Sequence, residues 1–131
     1  MSLTSRSALA RDERGVVTYT VDDVPTRNAL GTAVLLDIDR VLADVAADPS
    51  VRVVVFTGAG AVFSSGADRS ELGDPALIEL STRLLSQILT RIEESPVPVV
   101  CRVNGPAIGA GLAIAAAADI SVAAEEAFFA Q

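Results

Sequence analysis

The 131-residue sequence contains no histidine, no lysine and no tryptophan, and one cysteine. Each absence removes a class of chemistry. Without histidine there is no Ser-His-Asp triad, no histidine-activated cysteine and no imidazole metal ligand. Without lysine there is no Schiff base and no Walker-type phosphate loop. A single cysteine, Cys101, excludes an internal disulfide and any multi-cysteine zinc or iron–sulfur site. It lies in the apolar run Val97 to Val103, the setting of an inert buried thiol rather than a nucleophile. Aromatic residues make up only 4% of the chain, so a core must be built from aliphatic side chains.

The net charge is −7, and all ten basic residues are arginine. That balance argues against a nucleic-acid-binding surface. It is compatible with a small anionic ligand held by local arginines and backbone N–H groups. The longest low-polarity run, Ala107 to Ala118, is too short to span a bilayer, and the polar N-terminus carries no secretory pattern. These features predict a cytoplasmic protein without membrane, nucleic-acid or metal partners. The opening Met-Ser-Leu is compatible with a cloning remnant.

Half of the residues are hydrophobic, and the length suits one domain with a real core. Residues 1–12 read as a flexible arm and 13–131 as one core. The β-branched run Val16 to Val21 predicts a strand. Apolar residues at 34, 35, 38, 41, 42 and 45 predict a helix over Ala33 to Ala47, with Thr32 as its N-cap and Asp48-Pro49 as its stop. Val51 to Thr57 reads as a strand buried on both faces. A long loop, Gly58 to Gly73, leads to Asp74-Pro75, a good helix start. The stripe Leu77, Leu80, Leu84, Leu85, Ile88 and Ile92 predicts the buried face of that helix. A strand over Val97 to Val103, a small-residue helix over Ala107 to Ala118 and a last strand over Ile120 to Ala123 complete the order. Strands alternating with helices predict an α/β fold.

Two loops leave strand ends and are rich in glycine, alanine and serine. They are Gly58 to Asp68 and Asn104 to Gly111. Small residues let a ligand approach the backbone and leave N–H groups free to donate. Two such loops side by side would aim two donors at one oxygen, the arrangement of an oxyanion hole. A dinucleotide fingerprint is the competing reading of Gly58-x-Gly60. It fails because Phe63 occupies the third glycine position and no helix starts there.

Taken together, several segments resemble the enoyl-CoA hydratase/isomerase, or crotonase, superfamily. They are Arg27-Asn28-Ala29-Leu30, Asp48 to Gly58, Phe63-Ser64-Ser65-Gly66-Ala67-Asp68, Val103 to Gly111 and Ala118-Asp119-Ile120. The resemblance runs from about Gly15 to Gln131. It implies a spiral of β-β-α units, here the N-terminal core without the C-terminal helices, that binds an acyl-CoA thioester. By motif position it implies the backbone N–H groups of Ala67 and Ala110 as oxyanion donors. It implies substrate contacts along Ala67, Asp68, Arg69 and Ser70, an adenine contact at the Ser65 carbonyl, and Arg27 near the CoA phosphates. Asp68 is expected to order its loop rather than move protons, and Asp119 to be a helix-end residue. No cofactor is implied, coenzyme A being part of the substrate. The family form is a homotrimer or hexamer built through the missing C-terminal helices.

The sequence departs from the family at the catalytic acids. Classical hydratases carry one glutamate two residues after the last glycine of the second loop, where this chain has Ala113. The second would follow the segment that Phe129-Ala130-Gln131 begins. Glu71 and Glu79 are the nearest substitutes, and both read as solvated. An isomerase-like, one-acid reaction on a thioester enolate is therefore expected over a two-glutamate hydration. The alternative is a non-catalytic CoA-thioester-binding or assembly subunit. A break inside a motif predicts a fragment rather than a naturally short member.

Overall fold

The computed structural model describes residues 3–131. In order, the chain forms strands β1 (Ser7–Arg11) and β2 (Val16–Val21), helix α1 (Thr32–Ala47) and strand β3 (Val53–Gly58). Helix α2 (Pro75–Glu93), strands β4 (Val99–Val103) and β5 (Ala107–Ile108), helix α3 (Ala110–Ala117) and strands β6 (Ile120–Ala123) and β7 (Phe129–Ala130) follow. The main sheet has the order β1-β2-β3-β4-β6. Its last four strands run parallel, each neighbouring pair joined through one helix, and β1 adds antiparallel at the edge. β5 and β7 form a separate parallel pair.

Strand alternation builds the core. Val17, Tyr19, Val21, Val54, Phe56, Val99, Cys101 and Val103 point from successive strands to one face, and all are buried. Helix residues Leu35, Ile38, Val41, Leu42, Ile88 and Ile92 cover that face. Each fully buried aliphatic side chain contributes roughly 1.5–3 kcal/mol, so an aliphatic core suffices where aromatics are few. Tyr19 and Phe56 meet edge to face, with ring centroids 5.9 Å apart.

The α/β alternation stands, with local corrections. Residues 7–11 of the expected arm form β1, because the hairpin satisfies their backbone groups against β2. Gly31 is the N-cap of α1, and Thr32 is its first residue, its N–H and hydroxyl both donating to the Glu71 carboxylate. Glu71 is therefore a helix-capping group rather than a solvated one, whereas Glu79 is exposed and paired with Arg83. β3 is fully buried on the face of Val54 and Phe56, whereas on the other face Val53 and Val55 are half-buried and Thr57 alone is buried. Asp74 caps α2 as expected, accepting from the Ala76 N–H. Of the predicted stripe, Leu84, Ile88 and Ile92 are buried, while Leu80 is exposed and Leu77 half-exposed, because the first turns of α2 project past the core. Residues 107–108 form β5, so α3 starts only at Ala110. Among the described residues no helix is long and apolar enough to cross a membrane.

A polar knot secures the N-terminal segment. The fully covered carboxylate of Asp37 accepts from the N–H groups of Thr4 (2.8 Å) and Ser5 (2.9 Å) and from both hydroxyls. Burial pushes this carboxyl up, but the bonds from Ser5 and Thr4 outweigh it and leave the group below its ordinary value. Its stabilisation is present above the unfolded pKa, about 3.9, and is lost as pH falls through the lower folded value. Asp37→Ala is expected to cost about 2–3 kcal/mol at pH 7 and to flatten the loss of stability on acidification below pH ~4. Urea unfolding at pH 7 and at acid pH measures both.

Candidate functional site

The two small-residue loops leave the C-terminal ends of neighbouring parallel strands, β3 and β4, so they emerge at the same end of the sheet. Backbone hydrogen bonds splice them together. The Phe63 and Ser64 N–H groups donate to the Pro106 carbonyl (3.1 and 3.2 Å), and the Ile108 N–H donates to the Ser64 carbonyl (3.0 Å). Gly66 and Gly109 sit back to back at positive φ, +92° and +56°. A Cβ built on Gly66 would lie 2.9 Å from the Ile108 carbonyl oxygen, so the approach and the dihedral both require glycine.

These two glycines immediately precede Ala67 and Ala110. Among the hydrogen bonds of the described residues, neither the Ala67 nor the Ala110 N–H has an acceptor. Ala110 is the first residue of α3, where the N–H groups have no intrahelical partner and the helix dipole is positive. Ala67 is exposed.

A cleft of about 510 Å³ opens beside the splice. It brings together five of the residues singled out from sequence: Arg27, Ser65, Ala67, Asp68 and Arg69. Pro25, Val62, Pro106, Ile108 and Phe128 supply apolar wall. Arg27 and Arg69 make no ion pair among the described residues, so this acidic chain presents two cationic groups at the cleft. Ser70 lies off the cleft wall. It holds Asp68, to whose Oδ1 its N–H (2.9 Å) and hydroxyl (2.7 Å) donate. Asp68 thus orders the turn Arg69–Glu71 as its N-cap. Ala110 is likewise outside the lining, behind Gly109 at the start of α3. Ser65 spends its N–H and hydroxyl on the carbonyls of Arg27 (3.0 Å) and Thr26 (2.9 Å). Asp119 follows α3 and accepts from the Val99 N–H (2.8 Å), a connector rather than a site residue. Ala113 is half-buried on α3, three residues after Ala110 and on the same side of the helix.

Two asparagines quoted only as motif letters carry much of this architecture. Asn28 is 1% exposed. Its Nδ2 donates to the carbonyls of Ala59 (2.9 Å) and Val62 (2.8 Å), and its Oδ1 accepts from the Asp23 N–H (2.9 Å). The Nδ2 of Asn104 donates to Gly60 (2.9 Å) and Val62 (3.2 Å), and its Oδ1 accepts from the Gly58 N–H (3.0 Å). Asn28 and the preceding Arg27 both lie in the left-handed region, φ 58° and 59°. An asparagine between Pro25 and a helix start was the one available signal for this turn, since asparagine tolerates that conformation best after glycine.

Residues 11–131 match the enoyl-CoA hydratase/isomerase family. The chain belongs to that family. A probable enoyl-CoA hydratase, echA12, of Mycobacterium bovis is 43% identical over 111 residues, covering 78% of this chain and 39% of that protein. The zebrafish enoyl-CoA hydratase domain-containing protein 3, mitochondrial, is 33% identical over 96% of this chain and 45% of its own length. The crystal structure of an enoyl-CoA hydratase of Mycobacterium smegmatis superposes with a TM-score of 0.88 at 34% identity, over 94% of this chain and 49% of that one. The human enoyl coenzyme A hydratase domain-containing protein 3 gives 0.89 at 29% identity, over 95% and 50%. The fold is therefore the crotonase-like core, and the chain spans about half the length of the family members it matches.

Within this family member the one thiol is inert. Burial pushes the Cys101 thiol up to about 12. A thiol reagent such as DTNB at pH 8 should leave the native chain unmodified and label one group after denaturation. Stoichiometric labelling of the native chain would contradict the burial.

Proposed function

We propose that the cleft binds an acyl-CoA thioester, with the N–H groups of Ala67 and Ala110 as the oxyanion donors. The observation that supports this is the pair of unspent backbone donors on two loops whose preceding glycines touch, beside a cleft with two unpaired arginines. A thioester oxygen gains negative charge as the α-proton leaves. Preorganised N–H donors stabilise that enolate without reorganisation, at a cost of roughly 3 kcal/mol when one donor is lost. Arg27 and Arg69 supply positive charge for the phosphates of the CoA moiety, and the apolar wall suits the pantetheine arm or acyl group.

The proton chemistry favours an isomerase-like reaction over a two-glutamate hydration, because Ala113 offers no carboxylate. Among the described residues Asp68 is the one acidic group lining the cleft, and its Oδ1 is committed to Ser70. This same scarcity favours a second reading, a subunit that binds the thioester without turning it over. In both readings CoA is part of the ligand and no separate cofactor takes part.

Calorimetric titration with butyryl-CoA tests the reading, since binding is its requirement and turnover of an enoyl-CoA then separates its two forms. Ala110→Pro is the sharpest variant. Proline is well accepted at the first position of a helix, so the change removes a donor N–H at little structural cost. Butyryl-CoA affinity is expected to fall while affinity for CoA, which lacks the thioester carbonyl, stays. If Ala110→Pro leaves thioester binding intact in a folded chain, Ala110 is not a donor.

A further inference from the structure

The geometry points to Asn28 and Asn104 as a paired clamp that sets the position of the Ala67 N–H. The two side chains enter the first loop from different segments and converge on one atom, the Val62 carbonyl oxygen (2.8 and 3.2 Å). Between them they also hold the Ala59 and Gly60 carbonyls and the Gly58 N–H. The Ala59 N–H still donates to the Val21 carbonyl of β2 (2.8 Å), and beyond that last strand bond the carboxamides hold the backbone to Val62. The side of this loop that faces the second loop is tight. A Cβ on Gly105 would fall 1.9 Å from the Ala61 carbonyl oxygen.

From Val62 the chain has five residues to reach Ala67, and it passes through the Phe63–Ser64 splice. The clamp therefore sets where that splice begins. Asn28 also acts from the other side. It holds the left-handed turn whose Arg27 carbonyl receives the Ser65 N–H, two residues before Ala67. Leu30, two residues after Asn28, donates its N–H to the Gly66 carbonyl (2.7 Å), the peptide unit whose nitrogen is Ala67's own. One buried side chain thus secures both ends of the segment that carries the donor. A turn with two consecutive non-glycine residues at positive φ is strained, and it persists only where its surroundings over-determine it. Asn28 and Asn104 are positioning residues, acting through the loop and lying outside the cleft lining. What the positioned N–H does rests on the acyl-CoA reading above; its position does not.

The test uses the whole chain and two readouts. The first is the amide resonance and solvent exchange of Ala67 by nuclear magnetic resonance without ligand. Asn28→Ala, Asn104→Ala and Asn28→Asp are expected to shift that resonance and speed its exchange. Asn28→Asp keeps the acceptor for Asp23 but cannot donate to Ala59 or Val62, and it carries the test if alanine at 28 prevents folding. Asp39→Ala is the control for general destabilisation, since it breaks the Arg91 and Gln87 contacts between α1 and α2. It should leave the Ala67 amide in place. An unchanged Ala67 amide in the folded asparagine variants, or an equal change in Asp39→Ala, overturns the inference. The second readout is the infrared carbonyl band of bound butyryl-CoA labelled with ¹³C at the thioester. The band is expected to move to lower frequency in the unmodified chain and to return toward the free value in the asparagine variants. A downshift that persists in them also overturns the inference. No downshift in the unmodified chain rejects the acyl-CoA reading and leaves the amide result to decide the clamp.

Discussion

Three backbone hydrogen bonds, from Phe63 and Ser64 to Pro106 and from Ile108 to Ser64, hold together everything that distinguishes this end of the molecule. They join two loops that are more than 40 residues apart in the chain but leave adjacent parallel strands. Without them Gly66 and Gly109 would not meet, and Ala67 and Ala110 would be ordinary loop and helix-start residues. The bonds require that nothing intervene between the loops, which accounts for the run of glycine, alanine and serine in both. Small side chains here are a packing requirement imposed by backbone-to-backbone contact.

The donors proposed for this site are main-chain groups, and that suits a chain with no histidine or lysine to contribute. The side chains nearby are occupied in holding the backbone. Asp68 and Ser70 shape one turn, Glu71 caps α1, and Asp119 ties the end of α3 to β4. Asn28 and Asn104 satisfy the carbonyls of a loop that has no ladder of its own. The arginines are the exception, since Arg27 and Arg69 have no acidic partner among the described residues. A fixed scaffold with two uncommitted cations is a suitable seat for a polyanionic ligand in an otherwise acidic protein.

Stability is distributed away from this end. The aliphatic interior lies between the sheet and the three helices, and Asp39 with Arg91 (2.6 Å) fastens α1 to α2. The N-terminal segment is fastened separately through Asp37. Exposed apolar residues gather instead on β6 and on the approach to the chain end: Ile120, Val122, Phe128 and Phe129. The site thus lies between a well-packed interior and a sparsely covered edge, and Phe128 belongs both to that edge and to the cleft wall.

Periodicity and punctuation alone determined the main alternation of strands and helices, the start of α2 at Asp74-Pro75 and the inert setting of Cys101. Those features depend on neighbours within a few residues, where local preference decides. The family motifs also marked the two loops before any contact was visible. Sequence could not show β1, because a short strand of mixed polarity forms only when a partner strand is present. It misjudged Glu71 and the first turns of α2 for a related reason: whether a side chain caps a distant helix or faces solvent depends on what packs against it. The convergence of Asn28 and Asn104 on one carbonyl, more than 30 residues from either, belongs wholly to the tertiary structure. Hydrogen-bond partners at that separation are chosen by how the sheet and its crossovers bring the loops together.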